Sequence, residues 1–143
     1  MPFINIYLHL IWSTKNRNKI ISRDLKPLLI EHIKQNAKQK EIYIDSINCV
    51  SDHIHILISL GSNQSVSKII QLIKGESSHW INENKLIPGK FEWQDEYIAL
   101  SVSKSIVDKV RKYIASQEVH HHIKSYSEEV DDFRKKYGFN ELV

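Results

Sequence analysis

The order in which strand-like and helix-like hydrophobic patterns follow one another restricts the fold of this chain more than any other feature. Residues 3–12 are almost continuously apolar, which is typical of a strand buried in the centre of a sheet. The patterns then predict, in order, a helix from Ser22 or Asp24 to about Lys40, strands at 42–50 and 53–60, and a helix from Ser65 to about Asn84. A strand at 97–102 and a helix from Ser103 or Ser105 to about Gln117 or slightly beyond follow. This order predicts an α+β, ferredoxin-like (split βαβ) fold, with two helices on one face of an antiparallel sheet, the other face free to carry a site, and an additional helix after the last strand.

The composition is that of one small globular domain. The chain has 143 residues, of which 41% are hydrophobic and 26% are charged, and these values exclude disordered, collagen-like and disulfide-scaffold proteins. Cys49 is the single cysteine, so neither an internal disulfide nor a thiolate zinc cluster can form. No apolar run reaches the roughly 18 residues of a membrane span, so we expect a cytoplasmic protein that does not contact a membrane.

Charge is unevenly distributed along the chain. The net charge is +3, but residues 1–40 carry a balance of +6 and residues 41–143 a balance of −3. The basic half is a candidate surface for a polyanion such as nucleic acid, although a solvated loop and helix face would give the same pattern. Acidic residues followed by basic ones near the end predict a charged extension at 126–143, after a domain at 1–125.

Two histidines stand two residues apart in the third predicted strand. Because side chains alternate across a strand, His53 and His55 share one face, while Ile54 and Ile56 point to the other. Two imidazoles at this spacing can bind one cation. The alternative is a pair of half-exposed, hydrogen-bonded structural histidines.

A tyrosine and a glutamine share one face of the last predicted helix. Tyr113 and Gln117 are four residues apart, so the phenol and the amide lie one turn apart. Ile106, Val110 and Ile114 occupy most of that face, so it must pack against the domain or against a partner. The pair is either a set of functional groups or a hydrogen-bonded core pair.

In combination, these segments resemble the HUH single-tyrosine transposases of the insertion-sequence two-hundred type, including their REP-associated relatives. The matching stretches are DHIHIL at 52–57, LIKGESS at 72–78 and KYIASQ at 112–117, in that order. The opening of the chain, with Tyr7, His9 and Trp12 before a basic loop, also resembles the start of the family. The resemblance covers roughly residues 5 to 120.

The resemblance implies a catalytic role for each group. His53, His55 and Gln117 would bind Mg²⁺ or Mn²⁺, and Tyr113 would be the nucleophile that attacks a DNA phosphate. The product would be a 5′-phosphotyrosine and a free 3′ hydroxyl. Because this linkage retains the energy needed for rejoining, no nucleotide cofactor is required. The phenol pKa is near 10, so the attack needs help in removing the proton.

The resemblance and the charge pattern also predict a DNA-binding surface. Lys74, beside Gly75, would contact a phosphate; otherwise it is an exposed helical lysine next to a packing glycine. A mid-helix glycine is costly, so either a backbone approaches closely there or something binds. Trp12 or Trp93 could stack on bases or simply anchor the core. The remaining basic residues predicted to line the DNA path are Lys15, Arg17, Lys19 and Arg23.

The function that we expect is cleavage and rejoining of hairpin-bearing single-stranded DNA. The resemblance implies a homodimer with composite sites, in which Tyr113 and Gln117 act on the histidines of the other chain. One alternative is a domesticated relative that processes chromosomal hairpins, and another is a non-catalytic ferredoxin-like module that binds nucleic acid. Such modules present aromatic residues on central strands, whereas this one presents histidines, which favours the enzyme. The run His120–His122 is left outside the site, because consecutive helical residues point in different directions.

Overall fold

The computed structural model describes residues 3–117 and 125–137. The strands are β1 (Tyr7–Ser13), β2 (Tyr43–Cys49), β3 (His53–Ser59) and β4 (Ile98–Val102). The helices are α1 (Leu25–Gln39), α2 (Val66–Glu83), α3 (Val107–Ala115) and α4 (Tyr126–Tyr137). Short 3₁₀ turns at Lys15–Arg17 and Lys104–Ile106 follow β1 and precede α3.

The four strands form one antiparallel sheet in the order β2-β3-β1-β4. The order follows from the chain: β2 and β3 form the expected hairpin, while α1 and α2 each carry the chain across the sheet. In the register of the two central strands, Ile11 lies opposite His55 and Ser13 lies opposite His53. The predicted α+β, ferredoxin-like fold is confirmed.

Helices α1 and α2 cover one face of the sheet, as expected. The apolar side chains that alternate along β1 and β3 meet the apolar stripes of both helices there, and this main core includes Leu10, Trp12, Leu29, Ile33, Ile54, Ile56, Ile69 and Ile73. Ser77 is a buried polar residue of α2; its hydroxyl donates to the Ile73 carbonyl at 2.6 Å and accepts from Trp93 Nε1 at 2.9 Å. This pair fixes the loop before β4 against the core.

The expectation that the second face is free was wrong. Helices α3 and α4 cover it within the same chain, because β1, β3 and β4 present apolar side chains there as well as histidines. Leu57 packs with Val102, Val107 and Ile114. Beside this cluster, Ile11, Ile98 and Leu100 pack against the α4 residues Tyr126 and Val130.

Helix α3 ends two residues before the predicted position. Asn48 Nδ2 donates to the carbonyl of Ile114 at 2.8 Å and to that of Ala115 at 3.3 Å, so the β2 side chain satisfies carbonyls that end the helix. The Ser116 hydroxyl bonds to the Lys112 carbonyl at 2.8 Å. Gln117 therefore follows α3 instead of lying within it.

Among the described residues, no helix combines the length and the apolar character needed to cross a membrane.

Candidate active site

Two histidines of β3 form the base of a buried polar site on the second face of the sheet. His53 and His55 are both 0% exposed, and their rings contact Tyr126 of α4 and Tyr113 of α3. His53 Nδ1 lies 2.7 Å from a carboxylate oxygen of Asp52, and His55 Nδ1 lies 2.8 Å from His9 Nε2. The predicted shared face is present. The histidines are, however, fully buried instead of half-exposed.

A carboxylate from α4 closes the site above the imidazoles. Glu129 places one oxygen 3.2 Å from His53 Nε2 and the other 3.0 Å from His55 Nε2. One ligand atom from each of these three residues lies within 4.8 Å of the others. Two ligands about 2.1 Å from one ion and at right angles to each other lie about 3 Å apart. The carboxylate–imidazole distances therefore suit neighbouring ligands of a small divalent cation.

Tyr113 and Gln117 of the same chain reach this cluster. The Tyr113 ring centroid is 5.6 Å from that of His55, and the phenol donates a hydrogen bond to Glu129. The Gln117 side chain is buried, and its Nε2 lies 3.4 Å from the Tyr113 carbonyl. Within the described ranges, its amide oxygen has no hydrogen-bond partner. The four predicted groups thus meet in one chain.

Burial and hydrogen bonds set the protonation of the site. Burial disfavours the charged form of His53, but hydrogen bonds to Asp52 and Glu129 outweigh it and raise the pKa of His53 to about 9. Burial would raise the pKa of Glu129, yet hydrogen bonds from the two imidazoles hold that pKa far below its ordinary value. Without an ion, the site is therefore a buried carboxylate–imidazolium pair.

The nucleophile candidate is held in its protonated form. Burial, followed by the hydrogen bond to Glu129 and the charge of that carboxylate, raises the pKa of Tyr113 well above its ordinary value near 10. To become a phenolate, Tyr113 therefore needs a nearby cation, or a proton acceptor other than the Glu129 carboxylate to which it already donates a hydrogen bond. The same carboxylate that contacts both imidazoles thus also affects the protonation of Tyr113.

The predicted basic surface lies partly near the site. Arg17 donates to the Ser127 hydroxyl, and its guanidinium carbon is 5.8 Å from the Tyr126 ring centroid, so it contacts the first turn of α4. Lys15 forms an exposed ion pair with Glu92 at 3.0 Å. Lys19 and Arg23 are exposed. Basic side chains therefore lie on the loop that follows β1, next to the helix that covers the histidines.

Lys74 is engaged within the chain, on the helical side of the sheet. Its ammonium donates to the carbonyls of Gln94, Asp95 and Glu96 at 2.5 to 3.1 Å. It also lies 5.6 Å from the centroid of the Trp12 ring. Burial lowers its pKa below the ordinary value. The three donors of the ammonium are thus used internally, and a phosphate contact by Lys74 stays a prediction.

The structure decides between alternatives for the two tryptophans and for Gly75. Trp12 and Trp93 are 0% and 7% exposed and pack edge to face, which confirms their role as core anchors. A Cβ at Gly75 would meet nothing within 4 Å, so the described residues contain no close backbone that requires glycine. Gly75 instead borders an open groove of about 660 Å³ that Lys15 and Lys74 also line.

Sequence reasoning missed three residues of the site. Because side chains alternate along a strand, His9 is expected on the same face of the sheet as the site. Its contact with His55 could not be predicted, because it depends on how β1 pairs with β3. Asp52 directly precedes His53, which is the only local signal for it. Glu129 was assigned to a charged extension with no recognisable pattern. The run His120–His122 lies outside the described residues.

Comparisons with known proteins agree with this arrangement. The family model described as "Transposase IS200 like" matches residues 3–117. The ISDra2 transposase TnpA of Deinococcus radiodurans is 27% identical over 115 residues, which cover 76% of this chain and 81% of that protein. The transposase for insertion sequence element IS200 of Salmonella typhimurium is 24% identical over 119 residues, which cover 79% and 77% of the two chains.

Two solved structures share the fold. A crystal structure of a candidate transposase from Deinococcus radiodurans R1 superimposes with a TM-score of 0.65 and 20% identity, covering 81% of this chain and 93% of the other. A REP-associated tyrosine transposase bound to a REP hairpin gives a TM-score of 0.64 and 14% identity, covering 85% and 71%. Since the family model spans the sheet, both histidines, the tyrosine and the glutamine, this chain belongs to the IS200-like transposase family.

Proposed function

We propose that this transposase cleaves and rejoins hairpin-bearing single-stranded DNA through a covalent bond to Tyr113. The observation that carries the proposal is the position of the Tyr113 phenol, which is next to His55 and shares Glu129 with both histidines. A nucleophile beside a cation-binding cluster is the arrangement that metal-assisted phosphoryl transfer requires. The hairpin is suggested by the REP hairpin that a relative of the same fold binds.

The donor groups fit a divalent cation. His53 and His55 would provide imidazole nitrogens, and Gln117 would provide its amide oxygen, which is buried and unpartnered within the described residues. In the absence of DNA, Glu129 would add a carboxylate oxygen. Mixed nitrogen and oxygen ligands suit Mn²⁺, and Mg²⁺ accepts the oxygen ligands readily. When bound, the ion would polarise the scissile phosphate and orient it towards the phenol.

The proposed chemistry conserves one phosphodiester bond at each step. The Tyr113 oxygen forms a bond to the phosphorus as the bond from phosphorus to the 3′ oxygen breaks. The strand is left as a 5′-phosphotyrosine and a free 3′ hydroxyl, and the proton that the phenol loses is balanced by the one that the 3′ oxygen gains. Attack by another 3′ hydroxyl reverses the step and joins two strands.

Basic residues of the loop after β1 would guide the strand towards the site. Arg17 lies at the edge of α4, and Lys15, Lys19 and Arg23 extend the positive surface along the same segment. Such contacts would position the DNA backbone without reading its sequence. Hairpin selection must then come from shape or from bases that leave the stack.

A single chain carries all the groups of the proposed site. Arg111 binds Asp45 at 2.7 and 2.9 Å, and Asn48 bonds to the end of α3, so the tyrosine helix is held on its own sheet. This arrangement favours catalysis within one chain over the composite dimer that the family resemblance implies. Mixing a His53→Ala chain with a Tyr113→Phe chain distinguishes the two: we expect no activity, whereas restored cleavage would indicate a composite dimer.

The main test is covalent capture of DNA. Incubation of the protein with hairpin-bearing single-stranded DNA and Mn²⁺ should give a protein–DNA band on a denaturing gel. Tyr113→Phe should abolish this band, while the matched control Tyr43→Phe, on an exposed tyrosine of β2, should retain it. Tight binding without an adduct across several hairpins would overturn the enzyme proposal in favour of a binding module. Palindromes flanking the gene would separate a mobile element from a domesticated relative.

A further inference from the structure

We propose that His9 and Asp52 are positioning residues that fix the orientation of the two metal-binding histidines. Each one contacts the Nδ1 atom of one imidazole, so that both Nε2 atoms point to the same location. The proposal rests on the proposed function, because it assigns a role towards the cation of that site. It concerns two residues that do not touch the ion.

Asp52 is held firmly enough to orient His53. Its side chain is buried, and one carboxylate oxygen lies 2.7 Å from His53 Nδ1. Its backbone carbonyl accepts hydrogen bonds from the Thr14 amide at 2.8 Å and from the Thr14 hydroxyl at 3.3 Å. The turn before β3 is therefore tied to the end of β1. A carboxylate on the far nitrogen of a metal-binding histidine is a common device for setting ring direction and basicity.

His9 plays the corresponding part for His55. In the sheet register His9 lies opposite Leu57, the residue two positions after His55 on the same face. Its Nε2 is 2.8 Å from His55 Nδ1, the ring centroids are 5.0 Å apart, and His9 is 4% exposed. Both residues are buried, so this contact helps to fix the direction of the His55 ring.

The hydrogen bonds also determine the tautomers. An imidazole that offers the Nε2 lone pair to a cation carries its proton on Nδ1. His53 then donates that proton to Asp52, and His55 donates to His9 Nε2. His9 must accept at Nε2 and therefore carries its own proton on Nδ1. The arrangement is consistent for both rings, and it leaves both Nε2 atoms directed towards Glu129, at 3.2 and 3.0 Å.

Conservative substitutions separate this role from simple packing. Glutamine can place an oxygen acceptor near the position of His9 Nε2, whereas phenylalanine fills the space without an acceptor. Asparagine keeps an acceptor for His53, whereas alanine at position 52 removes it. Binding of Mn²⁺ to the DNA-free protein is measured from the decrease in the EPR signal of free Mn²⁺. This measurement reports on the site without any catalysis.

We expect the affinity for Mn²⁺ to fall in variants that lack a hydrogen-bond acceptor at position 9 or 52 and to be largely kept in those that retain one. His9→Phe and Asp52→Ala should each weaken Mn²⁺ binding about 10- to 100-fold, and His9→Gln and Asp52→Asn should recover most of it. His53→Ala is the reference for loss of the site. If wild type binds Mn²⁺ no better than His53→Ala, the metal site itself fails and this inference falls with it. If His53→Ala weakens binding but His9→Phe and Asp52→Ala do not, only the positioning roles are overturned.

A measurement on the unmodified protein removes any dependence on variants that fold poorly. Long-range ¹H–¹⁵N NMR spectra of the Mg²⁺-loaded protein report the tautomer of each histidine. We expect the proton on Nδ1 in His9, His53 and His55. A proton on Nε2 of either His53 or His55 would contradict the proposed orientation.

Discussion

Gly75 stands at a position where the described neighbours leave room for a larger side chain. It lies in the middle of α2, where glycine is less stable than alanine by about 0.5–1 kcal/mol, and a methyl group there would contact nothing within 4 Å. If DNA lies in the open groove that Gly75 lines, the missing side chain would leave room for it, and this would account for a glycine that lowers helix stability without a packing reason.

We expect Gly75→Ala to raise the free energy of unfolding by about 0.5–1 kcal/mol and to weaken binding of hairpin-bearing single-stranded DNA. Urea denaturation measures the first effect, and fluorescence anisotropy with labelled DNA measures the second. His79→Ala, on an exposed position of the same helix, is the control and should leave DNA affinity unchanged. Unchanged DNA affinity in Gly75→Ala would argue against nucleic acid in this groove.

Helix α3 shows how tertiary contacts position an element that carries a functional residue. The bulge of β2 at Asp45 directs its carboxylate to Arg111, which also contacts Asp108 at 2.7 Å. The hydrogen bond from Arg111 holds the pKa of Asp45 below its ordinary value. Since a lowered acid pKa stabilises the fold only where the carboxylate is ionised, this contact is lost as the pH falls through that pKa.

Asp45→Asn should therefore lower the thermal midpoint at pH 7, and the difference from wild type should shrink below about pH 4. Midpoints of both proteins measured from pH 7 to pH 3 check this expectation. Asp108→Asn is the control, because the Asp108 side chain is 84% exposed and its removal should change the midpoint little. A difference that stays constant with pH would show that the charge of Asp45 does not hold α3.

The elements themselves were largely predictable because hydrophobic periodicity is a local property. The pattern at 53–60 predicted β3, and the helical stripe from Ser65 predicted α2 to within one residue at each end. The end of α3 was not predictable, because Asn48 on a distant strand caps it. The internal contacts of Lys74 were not predictable for the same reason, since its three carbonyl partners depend on the path of a loop.

Four residues of the candidate site were likewise visible in the sequence. His53 and His55 share a face by strand parity, and Tyr113 and Gln117 are close in sequence, although Gln117 follows the end of α3. Glu129 had no such signal, because only the docking of α4 brings its carboxylate to the imidazoles. The expectation of an open second face failed because the apolar residues of that face need cover, which α3 and α4 provide.

At the scale of the whole molecule, α4 and a DNA strand would use the same face of the sheet. The histidines are fully covered when Glu129 is in place, so a strand can reach them only when α4 moves. We expect amide hydrogen exchange at 126–137 to become faster on addition of hairpin-bearing single-stranded DNA, with α1 unchanged. Blunt duplex DNA without a single-stranded segment is the control. Slower exchange in α4 with the hairpin would mean that DNA binds without uncovering the site.

The carboxylate of Glu129 has a thermodynamic consequence for substrate binding. A phosphate and this carboxylate are both anions, and Glu129 already lies against both imidazoles, where the phosphate would have to bind. If DNA binds in this way, the free energy needed to move α4 away, including the loss of the contacts of Tyr126 and Val130 with the sheet, would be subtracted from the intrinsic affinity for every strand, whatever its sequence. Substitutions on the face of α4 that packs against the sheet contact no nucleotide. They should therefore raise or lower the affinity for all substrates by the same factor.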